Sequence, residues 1–276
     1  MNLQGKTVLI TGATDGLGKL VATHAAEAGA TVILHGRIEE KGKRVVEEIK
    51  SKIGHQNLFY YNADFSSLAE VKLFSEEVLA KHGALHVLIN NAAIGGGPKG
   101  SKQRELSKDG YELRFAVNYL SHFLLTQKLL PLLIQSAPAR VVNVSSIGQS
   151  SLDFNDIDSE KRYDSFDSYA KSKLAQIMFG IELAERVKEK NITVNSLHPA
   201  TLMNTNMVHE FFGRTSSTVE EGAKAVEYVA FAEETKDVTG VYFNQQEPTK
   251  ANAQAYDMEA RKKLWQLSED LAKAFL

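Results

Sequence analysis

Short, β-branched apolar runs alternate along this chain with longer stretches in which apolar residues return every three or four positions. The run at 7–11 (TVLIT) stops at a glycine and predicts a strand. At 17–29, Leu17, Leu20, Val21 and His24 share helical spacing, and Gly29 stands where a helix C-terminal glycine belongs. The alternation continues with a strand at 31–36, a helix at 39–54, a strand at 57–65 and a serine-capped helix at 67–83. Strands at 85–93 and 139–146 flank a helical tract from about 105 to 135, and strands at 192–199 and 240–244 complete about seven. Strands that are apolar nearly throughout, separated by helices, specify a mostly parallel sheet covered on both faces. Right-handed crossovers then make it doubly wound. Residues 1–276 are expected to form a single α/β domain, with Pro98, Gly95 to Gly97 and Gly100 in a loop and not at a domain boundary.

Composition removes several function classes. At 43% hydrophobic and 24% charged residues, the chain can bury a sizeable core and is not disordered. A net charge of −2 without a basic stripe argues against nucleic-acid and membrane-surface partners. With no cysteine, a disulfide framework, a thiolate nucleophile and a cysteine zinc site are excluded, which fits a reducing compartment. The N-terminal apolar stretch is too short for a signal core or a membrane span. The apolar run beginning at Phe123 is interrupted by Gln127, Lys128 and Pro131, so it reads as a buried helix. A soluble, cytoplasmic protein is expected.

Between the first strand and first helix lies TGATDGLG, residues 11–18. Gly12 permits a tight turn, Gly16 lets backbone approach a pyrophosphate, and Gly18 allows close helix–sheet contact, with Thr14, Asp15 and Leu17 completing the loop. The following helix turns free N–H groups and its positive dipole end toward an anion. A glycine-rich turn without a ligand is the bland alternative, but its place after the first strand of an alternating chain favours a dinucleotide site on a Rossmann fold. The spacing G-x3-G-x-G resembles the cofactor loop of the short-chain dehydrogenase/reductase family, in its single-domain branch.

The end of the second strand reads Leu34-His35-Gly36-Arg37, without the carboxylate that would accept a ribose 2′-hydroxyl. Arg37 suits a 2′-phosphate, so NADP(H) is preferred and NAD(H) remains possible. The resemblance implies that Asp64 faces the adenine amino group and that Asn90 and Ala92, in NNAA at 90–93, end the fourth strand against the cofactor. Tyr169 and Lys173, at i and i+4, share one helix face. A neighbouring ammonium favours phenolate and should draw the phenol down toward working pH, as a general acid for carbonyl reduction requires. The resemblance adds Ser146 to bind the substrate oxygen and Asn118 to bend the long helix and hold a relay water. It also adds Pro199, Thr201 and Leu202 beside the nicotinamide, and it lets Lys173 bond the nicotinamide ribose.

Ser146 and Tyr169 enclose an acidic segment expected to rim the substrate entrance. SEKRY at 159–163 and the C-terminal tract resemble the retinol-dehydrogenase-like and related bacterial subgroup. Residues 200–217 read as a lid, in which Met203, Met207, Phe211 and Phe212 either meet an apolar substrate or anchor the lid. Leu264, Leu267 and Leu271, with Trp265 nearby, make 251–276 a packing helix. His82 and His86 straddle Gly83 with no completing carboxylate, and no catalytic metal is expected. The leading expectation is an NADP(H)-dependent oxidoreductase acting on a small apolar alcohol or carbonyl. A non-catalytic nucleotide sensor or scaffold is the alternative, and an epimerase or dehydratase is disfavoured by chain length. The family resemblance implies a homodimer or homotetramer, paired through the helices bearing Asn118 and Tyr169.

Overall fold

The protein, seen in a computed structural model, is described over residues 1–97 and 101–276. Pro98 and Gly100 of the expected loop lie outside the described residues, as does the side chain of Phe212. The elements run β1 (Thr7–Ile10), α1 (Gly16–Glu27), β2 (Thr31–Gly36), α2 (Glu39–Ile53), β3 (Leu58–Asn62), α3 (Leu68–Lys81) and β4 (Val87–Asn90). Next come α4 (Leu113–Phe115), a π-helical turn (Ala116–Leu120), α5 (Ser121–Gln135), β5 (Ala139–Val144), α6 (Ser165–Arg186) and β6 (Ile192–His198). The chain closes with α7 (Asn206–Phe212), α8 (Val219–Phe231), β7 (Tyr242–Asn244), β8 (Glu247–Thr249) and α9 (Met258–Ala272).

The sheet order is β3-β2-β1-β4-β5-β6-β7-β8. The first seven strands pair in parallel, and β8 folds back antiparallel on β7. This is the doubly wound fold expected, with eight strands where about seven were predicted. β8 lacks an apolar pattern, is exposed and carries Pro248, which only an edge position tolerates. Two cores separate on either side of the sheet. Val8, Ile10, Val32 and Leu34 face α1, α2 and α8, whereas Leu9, Ile33, Leu88 and Val141 face α3, α5 and α6. Successive strand residues thus enter opposite cores, which explains why the runs read as continuously apolar.

Two helical expectations change. The tract expected from about 105 starts only at Leu113, because Gly110 at φ 88 turns the chain and a Leu106–Glu112 bridge closes the segment. α8, which the apolar pattern did not flag, buries Ala223, Ala225, Val226, Val229 and Ala230 and starts with a Thr218–Glu221 capping box.

α9 lies over α6 and α5, the helices that the resemblance assigned to subunit pairing. Its buried side is Ala260, Leu264, Trp265, Ser268 and Ala272, so the inward stripe runs through Trp265 and Ser268, and Leu267 and Leu271 stand at its margin. The Trp265 ring stacks on Phe179 with centroids 5.8 Å apart and meets Phe123 edge-on at 5.2 Å. The Arg186 guanidinium covers the indole at 4.0 Å.

Candidate active site

Where the strand order reverses, the chain leaves β1 and β4 in opposite directions and opens a crevice at their C-terminal ends. A cavity of about 770 Å³ lies there. The glycine loop forms one wall. Gly12 takes φ 65, and a Cβ at that position would come within 2.8 Å of the Ala92 Cα. A Cβ on Gly18 would overlap the Gly12 carbonyl oxygen, so α1 can approach the sheet this closely only as glycine. Asp15 caps α1 by accepting from the Gly16 N–H at 2.8 Å. Its other oxygen holds Lys41 at 2.6 Å and Asn206 at 2.9 Å. Lys41, ahead of the cap bond, keeps the Asp15 carboxyl below its usual range.

Beneath the loop lies His35. Its Nε2 contacts the Ala63 carbonyl at 3.0 Å, so that nitrogen carries the proton and Nδ1 accepts from the Gly12 N–H at 3.3 Å. Burial pushes its pKa down to about 4, and it stacks on Phe65 at 4.0 Å. At the far end of β2, Gly36 and exposed Arg37 line the cavity, and Asp64 lines it with its carboxylate 3.1 Å from Lys108.

The opposite wall is made by the ends of β5 and β6 and by α6. Ser146, Tyr169 and Lys173 line it together, and Ser146 hydrogen-bonds the Tyr169 oxygen. The Ser146 Oγ accepts from the Gly148 N–H at 3.1 Å, whereas the Ser145 hydroxyl donates to the Lys173 carbonyl at 2.7 Å and is spent on α6. Pro199, Ala200, Thr201 and Leu202 follow β6 along the rim, with Leu202 in the left-handed region at φ 49. His198 Nε2 stands 3.0 Å from the Thr201 hydroxyl. From α7 and its approach, Met203, Met207 and Phe211 also face the cavity. Met203 does double duty, since it also packs into the core at Gly222.

Two predicted residues are placed elsewhere. Asn90 is fully buried in β4 and donates to Thr126 and Asn143 behind the cavity, and its neighbour Asn91 lines the site instead. Asn91 Nδ2 donates to the carbonyls of Thr11 and Gly12 at 2.8 and 3.2 Å, tying β4 to the glycine loop. Adjacent strand residues point to opposite faces, so a one-residue difference exchanges cofactor wall for core. Asn118, also fully buried, sits in the π turn just behind the wall. Its amide brackets Ile94, accepting from the N–H at 2.8 Å and donating to the carbonyl at 3.0 Å, and it reaches Ser172 at 3.0 Å.

The electrostatics of the Tyr–Lys pair differ from the expectation. Lys173 Nζ lies 5.8 Å from the Tyr169 ring centre and donates to the Val144 carbonyl at 3.0 Å and Gln176 Oε1 at 3.1 Å. Burial raises the Tyr169 pKa, only partly offset by the Ser146 bond, so the group is a neutral phenol at working pH. The same burial pulls Lys173 from 10.5 to about 7. The phenol is therefore ready to donate a proton, and the lysine is the group that titrates near neutrality.

That shift has a stability consequence. Between pH of about 7 and 10.5 the unfolded chain binds the Lys173 proton and the folded chain does not, so unfolding free energy rises with pH across that window. Thermal melts at pH 7 and 9 should show a larger gain for the wild type than for Lys173→Met. Equal gains in the two proteins would contradict the depressed lysine.

The sequence model described as short chain dehydrogenase matches residues 6–216. The chain is 36% identical over 281 residues to retinol dehydrogenase 11 of Homo sapiens, covering 98% of this chain and 87% of that protein. Its fold is similar to 3-ketoacyl-(acyl-carrier-protein) reductase from Brucella melitensis complexed with NADH, at TM-score 0.72 and 25% identity over 88% of this chain and 97% of that one. A short chain dehydrogenase from Shigella flexneri complexed with NADP matches at TM-score 0.71 and 25% identity, over 88% and 98% of the two chains.

Proposed function

The chain belongs to the short chain dehydrogenase family, and we propose that it is an NADP(H)-dependent oxidoreductase interconverting an apolar alcohol and its carbonyl, with Tyr169 as proton donor. The observation that carries this reading is the convergence of Ser146, Tyr169 and Lys173 on a cavity whose other wall is the glycine loop. That wall suits a dinucleotide: a Cβ would obstruct it at Gly12 and Gly18, and the N-terminus of α1 opens onto it. A bound nicotinamide supplies the hydride. Ser146 orients the substrate oxygen and Tyr169 gives it a proton during reduction, with Lys173, the group that titrates near neutrality, on the same wall. Met207, Phe211 and Ile94 line the remaining cavity and favour an apolar substrate.

The NADP(H) preference rests on Arg37, exposed on the cavity rim beside Gly36, where no side chain repels a 2′-phosphate. Fluorescence titration should show NADPH binding more tightly than NADH. Arg37→Leu should weaken NADPH by about ten- to a hundredfold, the worth of a charge-assisted bond, while leaving NADH nearly unchanged. A clear NADH preference in the wild type would reverse this assignment. A panel of aldehydes, ketones and alcohols followed by NADPH absorbance tests the activity, and absence of turnover across apolar members would contradict it.

A further inference from the structure

We propose that His122 is a positioning residue for this reaction, locking the loop after β4 and the Asn118 turn into one register against the glycine loop. The inference rests on the oxidoreductase reading for its consequence, and on the hydrogen bonds of His122 to Thr11 and Asn118 for its geometry.

Thr11, Asn118 and His122 are all fully buried. The Thr11 hydroxyl accepts two backbone N–H groups, from Asn91 at 2.8 Å and Ala92 at 2.9 Å, both residues of the cavity wall. His122 Nε2 lies 3.0 Å from the same hydroxyl, and Nδ1 lies 3.1 Å from the Asn118 carbonyl. A carbonyl only accepts, so Nδ1 carries the proton; Nε2 of a neutral ring then accepts from the Thr11 hydroxyl. That hydroxyl proton prefers the imidazole to the Ile89 carbonyl, which is farther at 3.4 Å. Burial pushes the His122 pKa down to about 3, with the charge of Lys173 acting in the same direction, so the ring keeps one donor and one acceptor.

The bonds close a ring. Asn91 and Ala92 bind Thr11, Thr11 binds His122, His122 binds the Asn118 carbonyl, and the Asn118 amide brackets Ile94 of the same loop. The π turn supports the arrangement. Ser121 N–H reaches back five residues to the Ala116 carbonyl, and the side chains of Ser121 and His122 take the carbonyls of Val117 and Asn118. An apolar residue at 122 would leave both the Thr11 proton and the Asn118 carbonyl without this partner. His122 touches no reacting atom, and its effect reaches the site through loop 91–94 and through Asn118, which holds Ser172 beside Lys173.

The test compares His122→Leu, which removes both bonds, with His122→Gln, which retains a donor and an acceptor. His122→Leu should weaken NADPH binding and lower kcat by about ten- to a hundredfold together, the scale expected for unpaired buried groups, with KM for the carbonyl changing far less. His122→Gln should recover most of both losses. In the wild type, ¹⁵N NMR of histidine-labelled protein should show one ring in the Nδ1–H form that does not titrate from pH 8 to 5 and vanishes in His122→Gln. The proposal is overturned if His122→Leu keeps NADPH affinity and kcat within twofold, or if the assigned ring is Nε2–H or titrates. Should His122→Leu fail to fold, His122→Gln and the NMR tautomer still decide. If the wild type turns over no carbonyl, the functional reading fails, while tautomer and NADPH affinity judge His122 independently.

Discussion

Tyr169→Phe should lose about 10²- to 10⁴-fold in kcat, the usual contribution of a positioned proton donor, while NADPH affinity changes little. The substitution removes one oxygen and leaves the ring, which lies 6.1 Å from the Phe166 ring and needs no repacking. Ser146 loses its bond to the phenol but keeps its bond from Gly148. Because burial raises the Tyr169 pKa, the two directions of reaction should respond differently to pH. Reduction uses the neutral phenol and is supported at neutral pH, whereas alcohol oxidation needs the phenolate and should climb into the alkaline range. Steady-state rates in both directions check this, and Tyr169→Phe turnover within tenfold of the wild type would remove the residue from proton transfer.

Trp265→Ala is the substitution expected to cost most stability, about 3–5 kcal/mol by the usual range for a buried tryptophan. The indole is 5% exposed and joins Phe123, Phe179 and the Arg186 guanidinium. It also donates to Glu269 at 2.8 Å, so truncation leaves a cavity and a freed carboxylate. For a domain this large the melting temperature should fall on the order of 10 °C. Calorimetry decides it: a fall of only a degree or two would mean that α9 contributes little to the fold. Trp265→Phe should restore much of the loss, because ring packing and not the indole N–H carries the contact.

The alternation of strands and helices was legible because each strand is buried on both faces, which writes an unmistakable apolar run. β8 was not, since it owes its existence to pairing with β7 and not to any pattern of its own. The π turn was equally invisible: five residues cannot distinguish a widened helix from an ordinary one by periodicity. Within the site, side chains at loop ends could be placed by spacing, and Ser146, Tyr169 and Lys173 do share one wall. Asn90 and Asn91 could not be told apart, because which of two neighbouring asparagines faces the cavity depends on strand parity. The Tyr169–Lys173 spacing correctly put both groups on one helix face, but the sign of the phenol shift depends on burial, which the spacing does not contain. His122 offered a signal four residues after Asn118, though only the fold reveals Thr11 on its other side.

The bond from Asn206 to Asp15 and the seat of Thr205 against Gly16 fasten the start of α7 to the glycine loop. On the proposed function, this joins two compartments in time as well as in space. A nucleotide lying along the loop would touch the anchorage of α7, the helix that carries Met207 and Phe211 of the apolar chamber. Nucleotide should therefore arrive first and leave last, with the alcohol or carbonyl exchanged in between.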